Sequence, residues 1–168
     1  MGVMRVGGWE LECKQHLRTL VTNDASFQCL REVLEVGANH HKLHVAIFNE
    51  PYLTYILEGK KTVESRFSLV RCAPYERVLA GDFILLKKAG GPISGFCRVE
   101  AAWFYRIDRQ TLGEIKENFA ERICPADAGF WSEREGAMFG TLISLKDVRR
   151  LREFWIGKRD RRGWVTIA

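Results

Sequence analysis

Between residues 59 and 66 the chain reads Gly-Lys-Lys-Thr-Val-Glu-Ser-Arg, which sets an amine, a carboxylate and a guanidinium close together. On an extended strand alternate side chains share a face, so Glu64 and Arg66 are neighbours on one side, with Val63 and Ser65 on the other. A carboxylate beside a guanidinium holds it in place and leaves donors for a phosphate or a base edge. Lys61 stands where a helix exit meets the strand, so it escapes the alternation and can turn into the same cleft. The same residues also make a plain structural set. Glu64 and Arg66 would then pair on a solvated sheet face, and Lys60 and Lys61 would be favoured by the dipole at a helix C-terminus. Spacing alone does not separate these two readings.

Other chemistries are poorly supplied. The five cysteines, Cys13, Cys29, Cys72, Cys97 and Cys124, are scattered and contain no C-x-x-C pair. They read as small, mostly buried apolar residues in a reducing compartment, with neither a disulfide framework nor a zinc site. His40, His41 and His44 cluster without a carboxylate or cysteine at ligand spacing, and they read as part of a polar linker rather than a metal site. Gly90-Gly91-Pro92 is a hairpin turn, not a phosphate-cradling loop. No Ser-His-Asp set stands out, and no cofactor is implied.

The elements that must position the segment follow from periodicity. Trp9, Cys13, Leu17 and Leu20 recur at helical spacing. Asn23 or Asp24 can cap a second helix through Phe27, Leu30, Val33 and Leu34, and Gly37 can end it. Ala38 to Lys42 then reads as a linker. Leu43–Phe48 suits a buried strand, Asn49 can cap a helix containing Tyr52 and Tyr55, and Gly59 fits its left-handed exit. Lys61–Phe67 reads as a strand, followed by a loop to residue 80. Phe83–Leu86, Ile93–Ile107, Met138–Leu145, Phe154–Ile156 and Gly163–Ile167 read as further strands, Thr111–Ile123 as a helix and Asp147–Leu151 as a helical turn. Short strands with few helices, closing on themselves, predict an α+β fold built on a small β-barrel. The division is a helical extension and linker over residues 1–42 and a barrel domain over residues 43–168.

Charge adds a partner class. The chain carries 26 Lys and Arg against 21 Asp and Glu, a net charge of +5. Residues 1–42 are neutral, so the excess lies in the barrel domain, and Lys158, Arg159, Arg161 and Arg162 crowd its C-terminal end. Basic excess draws polyanions through phosphate contacts and counterion release. No window approaches the run of about 20 apolar residues that a membrane span needs, and no secretory leader is visible. A cytoplasmic location is the expectation.

The segment Gly59-Lys60-Lys61-Thr62-Val63-Glu64-Ser65-Arg66 resembles the Gly-x-Lys-x-x-Glu-x-Arg signature of the ASCH family. Its setting is similar as well. A strand and a short helix with Tyr52 precede it, Gly81-Asp82 opens the next strand, and the ending through Gly163-Trp164-Val165 looks like the family's closing strand. The resemblance covers about residues 43–168 and implies a PUA-like barrel with flanking helices and an RNA- or nucleotide-binding cleft. Some family members hydrolyse N4-acetylcytidine, and ribonuclease activity is known for another. In the amidohydrolases the lysine matching Lys61 works with a threonine three residues later, where this chain has Glu64, and with a further glutamate for which Glu121 is the nearest equivalent. By this reading Lys61, Glu64 and Glu121 are the catalytic candidates. Arg66, Tyr52, Trp131 and Arg134 are candidates for ligand binding, and Lys60, Lys158, Arg159, Arg161 and Arg162 for contacts to a nucleic acid. Trp103 and Tyr105 are further rings on which a base could stack. The N-terminal helices offer a third use, as a docking or homodimer surface.

Overall fold

A computed structural model describes residues 8–22, 24–35 and 41–167. The first helix, α1, spans Gly8–Thr22, and α2 spans Gln28–Leu34. Cys13, Leu17 and Val21 line the buried stripe of α1, with Leu30, Val33 and Leu34 from α2. All six join one apolar cluster with barrel residues, among them Val45, Phe83, Leu85, Phe96 and Val165. The apolar faces that motivated a homodimer are therefore packed against the chain's own barrel. Arg31 closes the hairpin by donating from Nη2 to the Val21 carbonyl at 2.6 Å. Asp24 caps the short 3-10 turn Ala25–Phe27, while Asn23, Gly37 and His40 lie outside the described residues.

The strands are β1 (Leu43–Phe48), β2 (Val63–Ser68), β3 (Phe83–Lys88), β4 (Ile93–Arg106), β5 (Phe139–Phe154) and β6 (Trp164–Thr166). Helix α3 (Tyr52–Leu57) joins β1 to β2, and α4 (Arg109–Ile123) follows β4. The six strands form one sheet in the order β2-β5-β4-β3-β1-β6, curled into a half-barrel. Only β1 and β3 pair in parallel, and both are almost wholly buried, as parallel strands covered on both faces must be. Among the described residues no helix is long and apolar enough to cross a membrane.

The helical turn expected at Asp147–Leu151 is not there, because β5 runs unbroken through it. Arg98 pairs with Lys146 and Phe96 with Arg149, so one extra residue sits in β5 opposite Cys97. Asp147 takes a left-handed backbone (φ 51) at this bulge. A bulge bends and twists its strand, and here it also breaks the alternation. Val148, Leu151 and Phe154 face inward at spacings of three, which mimics a helix. At the start of α3 the expected cap from the Asn49 side chain is replaced by Glu50, whose Oε2 accepts from the Thr54 N–H at 3.2 Å and hydroxyl at 2.9 Å.

The start of β3 is a polar hub. His44 is not part of an open linker; it is 0% exposed within β1, with Nε2 2.9 Å from Asp82 Oδ2 and Nδ1 2.9 Å from Thr166 Oγ1. Asp82 also accepts the backbone N–H of Lys42 at 2.8 Å and of Leu79 at 2.9 Å. Gly81 beside it takes a left-handed φ of +93, a conformation that glycine adopts without strain. Burial pushes the Asp82 carboxyl up, but the hydrogen bonds from His44, Lys42 and Leu79 outweigh it and hold the group below its ordinary range. Its stabilisation is thus present above the unfolded value and lost as pH falls through the folded one. Asp82→Ala leaves buried donors without a partner and is expected to lower stability by about 2–4 kcal/mol at neutral pH. In urea titrations the gap between the two proteins should narrow below about pH 4.

Candidate functional site

Helix α3 ends in a tight exit that aims the functional segment. Gly59 takes φ +75, and the N–H groups of Lys60 and Lys61 both donate to the Tyr55 carbonyl, at 2.8 and 2.9 Å. The turn carries the Lys61 side chain inward, where the residue is 2% exposed. Its ammonium donates to Val63 O at 2.8 Å and to Ile123 O at 2.7 Å, and it lies 3.3 Å from Glu64 Oε2. Ile123 is the last residue of α4, where carbonyls lack intrahelical donors and the helix dipole favours a cation. Lys61 therefore pins the end of α4 to β2 with all three of its protons.

Glu64, 6% exposed, is shared between two cations. Its Oε1 accepts Arg66 Nε at 2.6 Å. The guanidinium continues to Ile47 O on β1 at 2.8 Å and towards Gly163 O, just before β6, at 3.4 Å. It rests over the rings of Phe48 and Trp164 at 5.0 and 5.6 Å. Of the five guanidinium N–H groups three are used in these bonds and two are left over.

These groups converge on a hollow of about 170 Å³, also lined by Asn49, Tyr52, Phe130 and Arg134. Tyr52 forms a wall with its ring 5.3 Å from Lys61 Nζ, and its hydroxyl accepts the Ala126 N–H at 3.2 Å, which fixes the ring. Arg134 donates to Phe130 O at 2.5 Å and lies 3.5 Å over the Phe130 ring. Three cations against Glu64 leave the lining with a net charge of +2. Ser65, Arg66 and Arg134 also border an adjoining hollow of about 500 Å³. Burial pushes the Lys61 ammonium below its ordinary pKa, and Glu64 restores part of the loss. Cys97 is driven above the ordinary thiol range by burial, with the Glu64 charge adding to it.

Of the residues singled out from sequence, Lys61, Glu64, Arg66, Tyr52 and Arg134 meet here. Trp131 does not; it lines a different cavity beside α4. Glu121 is exposed on α4 and is not among the residues lining the hollow. Lys60 is exposed, its ammonium 4.1 Å from the Tyr55 ring. Trp103 and Tyr105 are half-buried in the layer between sheet and α4, Trp103 against Phe119, and neither lines the hollow.

The C-terminal basic run divides. The Lys158 side chain is 1% exposed, with its ammonium held by Asp160 at 2.7 Å and by the Arg162 carbonyl at 2.7 Å. Arg162 Nε also binds Asp160, at 3.0 Å. Despite the burial that opposes it, the bonds from Arg162 and Lys158 hold the Asp160 carboxyl far below its usual range. Lys158 and Arg162 thus build a clamp around Asp160 that withdraws only Lys158, and Arg159, Arg161 and Arg162 remain exposed. Sequence reasoning passed over Phe130, which has no spacing signal, and used Asn49 only as a cap. Among the described residues no three His, Cys, Asp or Glu side chains gather into a metal-holding group.

A curled mixed half-barrel in the order β2-β5-β4-β3-β1-β6 with flanking helices defines the class. The chain has an ASCH-like fold. It is similar to the crystal structure of ASCH from Zymomonas mobilis, with TM-score 0.54 and 20% identity over 67% of this chain and 72% of that one. Structures of two single-substitution variants of that protein match with TM-scores of 0.54 and 0.53, at 19% and 20% identity. Each covers 68% of this chain, and 74% and 76% of the respective variant. No protein-family model and no curated protein matches the sequence.

Removing Lys61 leaves Glu64 with one cation and two buried carbonyls bare. Lys61→Ala is expected to lower stability by about 3 kcal/mol, read from the urea midpoint. The slope with pH has the same sign as for Asp82 but falls in the alkaline range, and here it reflects relief of a buried charge rather than gain of one. The folded pKa lies below the unfolded one, so between the two the unfolded chain binds more protons and stability rises with pH. Lys61→Met should lose this rise in the alkaline range below about pH 10.

Proposed function

We propose that the chain binds single-stranded RNA or a nucleotide, with one base and its attached groups at the Lys61–Glu64–Arg66 hollow. The observation that carries this reading is the convergence, at one open mouth, of two spare guanidinium N–H groups, a fixed Tyr52 ring and the Arg134 cation. A flat heteroaromatic would lie against the Tyr52 wall, with Arg66 donating to its carbonyl. At about 170 Å³ the hollow is smaller than the roughly 300–1,000 Å³ of drug-sized sites, which suits a base alone. The larger adjoining hollow shares Arg66 and Arg134 and offers both to a phosphate. The exposed Arg159 and Arg161 stand just before Gly163, whose carbonyl faces Arg66, so the basic run abuts the same cleft. Fluorescence polarisation with labelled single-stranded RNA at about 50 mM salt should give binding that weakens steeply as salt is raised. Arg134→Ala is expected to weaken it about tenfold. Binding that is absent at low salt, or indifferent to it, would remove the reading.

Amide hydrolysis of an N4-acetylated cytidine is the second reading, favoured by one observation. Lys61 is dry, has a lowered pKa and sits against a carboxylate, the conditions that activate an amine. Its three protons are nevertheless committed to Val63 O, Ile123 O and Glu64, and a carboxylate stands where amidohydrolases of the family carry a threonine. Incubation with N4-acetylcytidine, followed by chromatography for cytidine, is expected to give release at the background rate. Release well above background that disappears in Lys61→Met would establish the hydrolase instead.

A further inference from the structure

On the far side of Phe130 from the hollow, Trp131 borders a separate cavity of about 480 Å³ with Arg109, Gly113 and Lys116 of α4. The Phe130 and Trp131 rings meet edge to face, centroids 4.9 Å apart, so consecutive residues present one ring to each hollow. Trp131 is half-buried, leaving ring surface towards the cavity. Arg109 and Lys116 are exposed, and among the described residues neither has an ionic partner. With Glu135 at the rim the lining keeps one net positive charge.

Gly113 is the independent sign. It lies inside α4, where glycine destabilises a helix relative to alanine. Its φ is not in the left-handed region, and a Cβ built there would meet nothing within 4 Å. Neither backbone conformation nor internal packing asks for glycine at this position. Gly113 is exposed and borders the cavity, so a larger side chain there would take up space at its edge.

We infer that this cavity is a second subsite, taking the neighbouring nucleotide of a single strand, with its base on Trp131 and its phosphate at Arg109 and Lys116. The inference rests on the nucleotide reading of the first hollow and narrows the ligand from a free nucleotide to an oligonucleotide. Base stacking on an exposed ring is tolerant of sequence, and cations beside it follow the backbone. The groove therefore adds affinity with little choice of base.

Fluorescence polarisation with a labelled six-nucleotide single-stranded RNA, set against competition by cytidine monophosphate, tests this on the full chain. The oligonucleotide is expected to bind at least about tenfold tighter than the mononucleotide. Trp131→Ala and Gly113→Leu should each remove that advantage. Gly113→Leu should also raise Tm and leave mononucleotide affinity unchanged, which separates loss of the groove from loss of the fold. Oligonucleotide affinity unaltered in both variants overturns the second subsite while the first hollow keeps its assignment. Failure of both ligands to bind overturns the two together.

Discussion

The Glu64 carboxylate, out of water and bonded on one side by Lys61 and on the other by Arg66, holds three distant parts of the chain in one place. Through Lys61 it fastens the last turn of α4, and through Arg66 it reaches β1 and the approach to β6. Buried ion pairs of this kind add little net stability over an apolar substitute, because desolvation offsets much of the attraction. Their geometry is nonetheless demanding. Each partner must arrive with its remaining hydrogen bonds met, and here the backbone carbonyls of Val63, Ile123 and Ile47 meet them.

Most of the polar capacity at the site is directed into the fold, and only a small remainder faces the hollow. That remainder is held rigidly: Arg66 by Glu64 and Ile47, Arg134 by the Phe130 carbonyl and ring, Tyr52 by the Ala126 N–H. A ligand meeting fixed donors loses less to ordering side chains than one meeting free ones. The bonds that hold the fold and the groups that line the hollow are in this sense one network read from two sides.

The segment from Gly59 to Arg66 was legible because its positions are set locally, by a left-handed helix exit followed by an alternating strand. Most strands along the chain and the site of α4 followed from periodicity for the same reason, whereas the separate strand expected at Phe154–Ile156 is instead the end of β5 at Phe154. What escaped depended on contacts between distant residues. The bulge opposite Cys97 gave Val148, Leu151 and Phe154 a helical spacing within a strand. His44 read as linker because its partners, Asp82 and Thr166, are 38 and 122 positions away. Asp160 sits among bases in sequence, yet it binds both Lys158 and Arg162 and draws the Lys158 ammonium off the surface while Arg162 stays exposed. Trp131 and Phe130 are adjacent in sequence, and only the chain's path decides which ring faces which hollow.

The two border strands of the half-barrel, β2 and β6, share no backbone ladder. Where they approach, the seam is bridged by one guanidinium on β2 reaching the Ile47 and Gly163 carbonyls. A zipper of peptide groups would be indifferent to what lies beside it, whereas this clasp also forms part of a wall of the hollow. The lining of the hollow and the seam of the curled sheet therefore share one side chain, so a substitution at Arg66 cannot alter either of them alone.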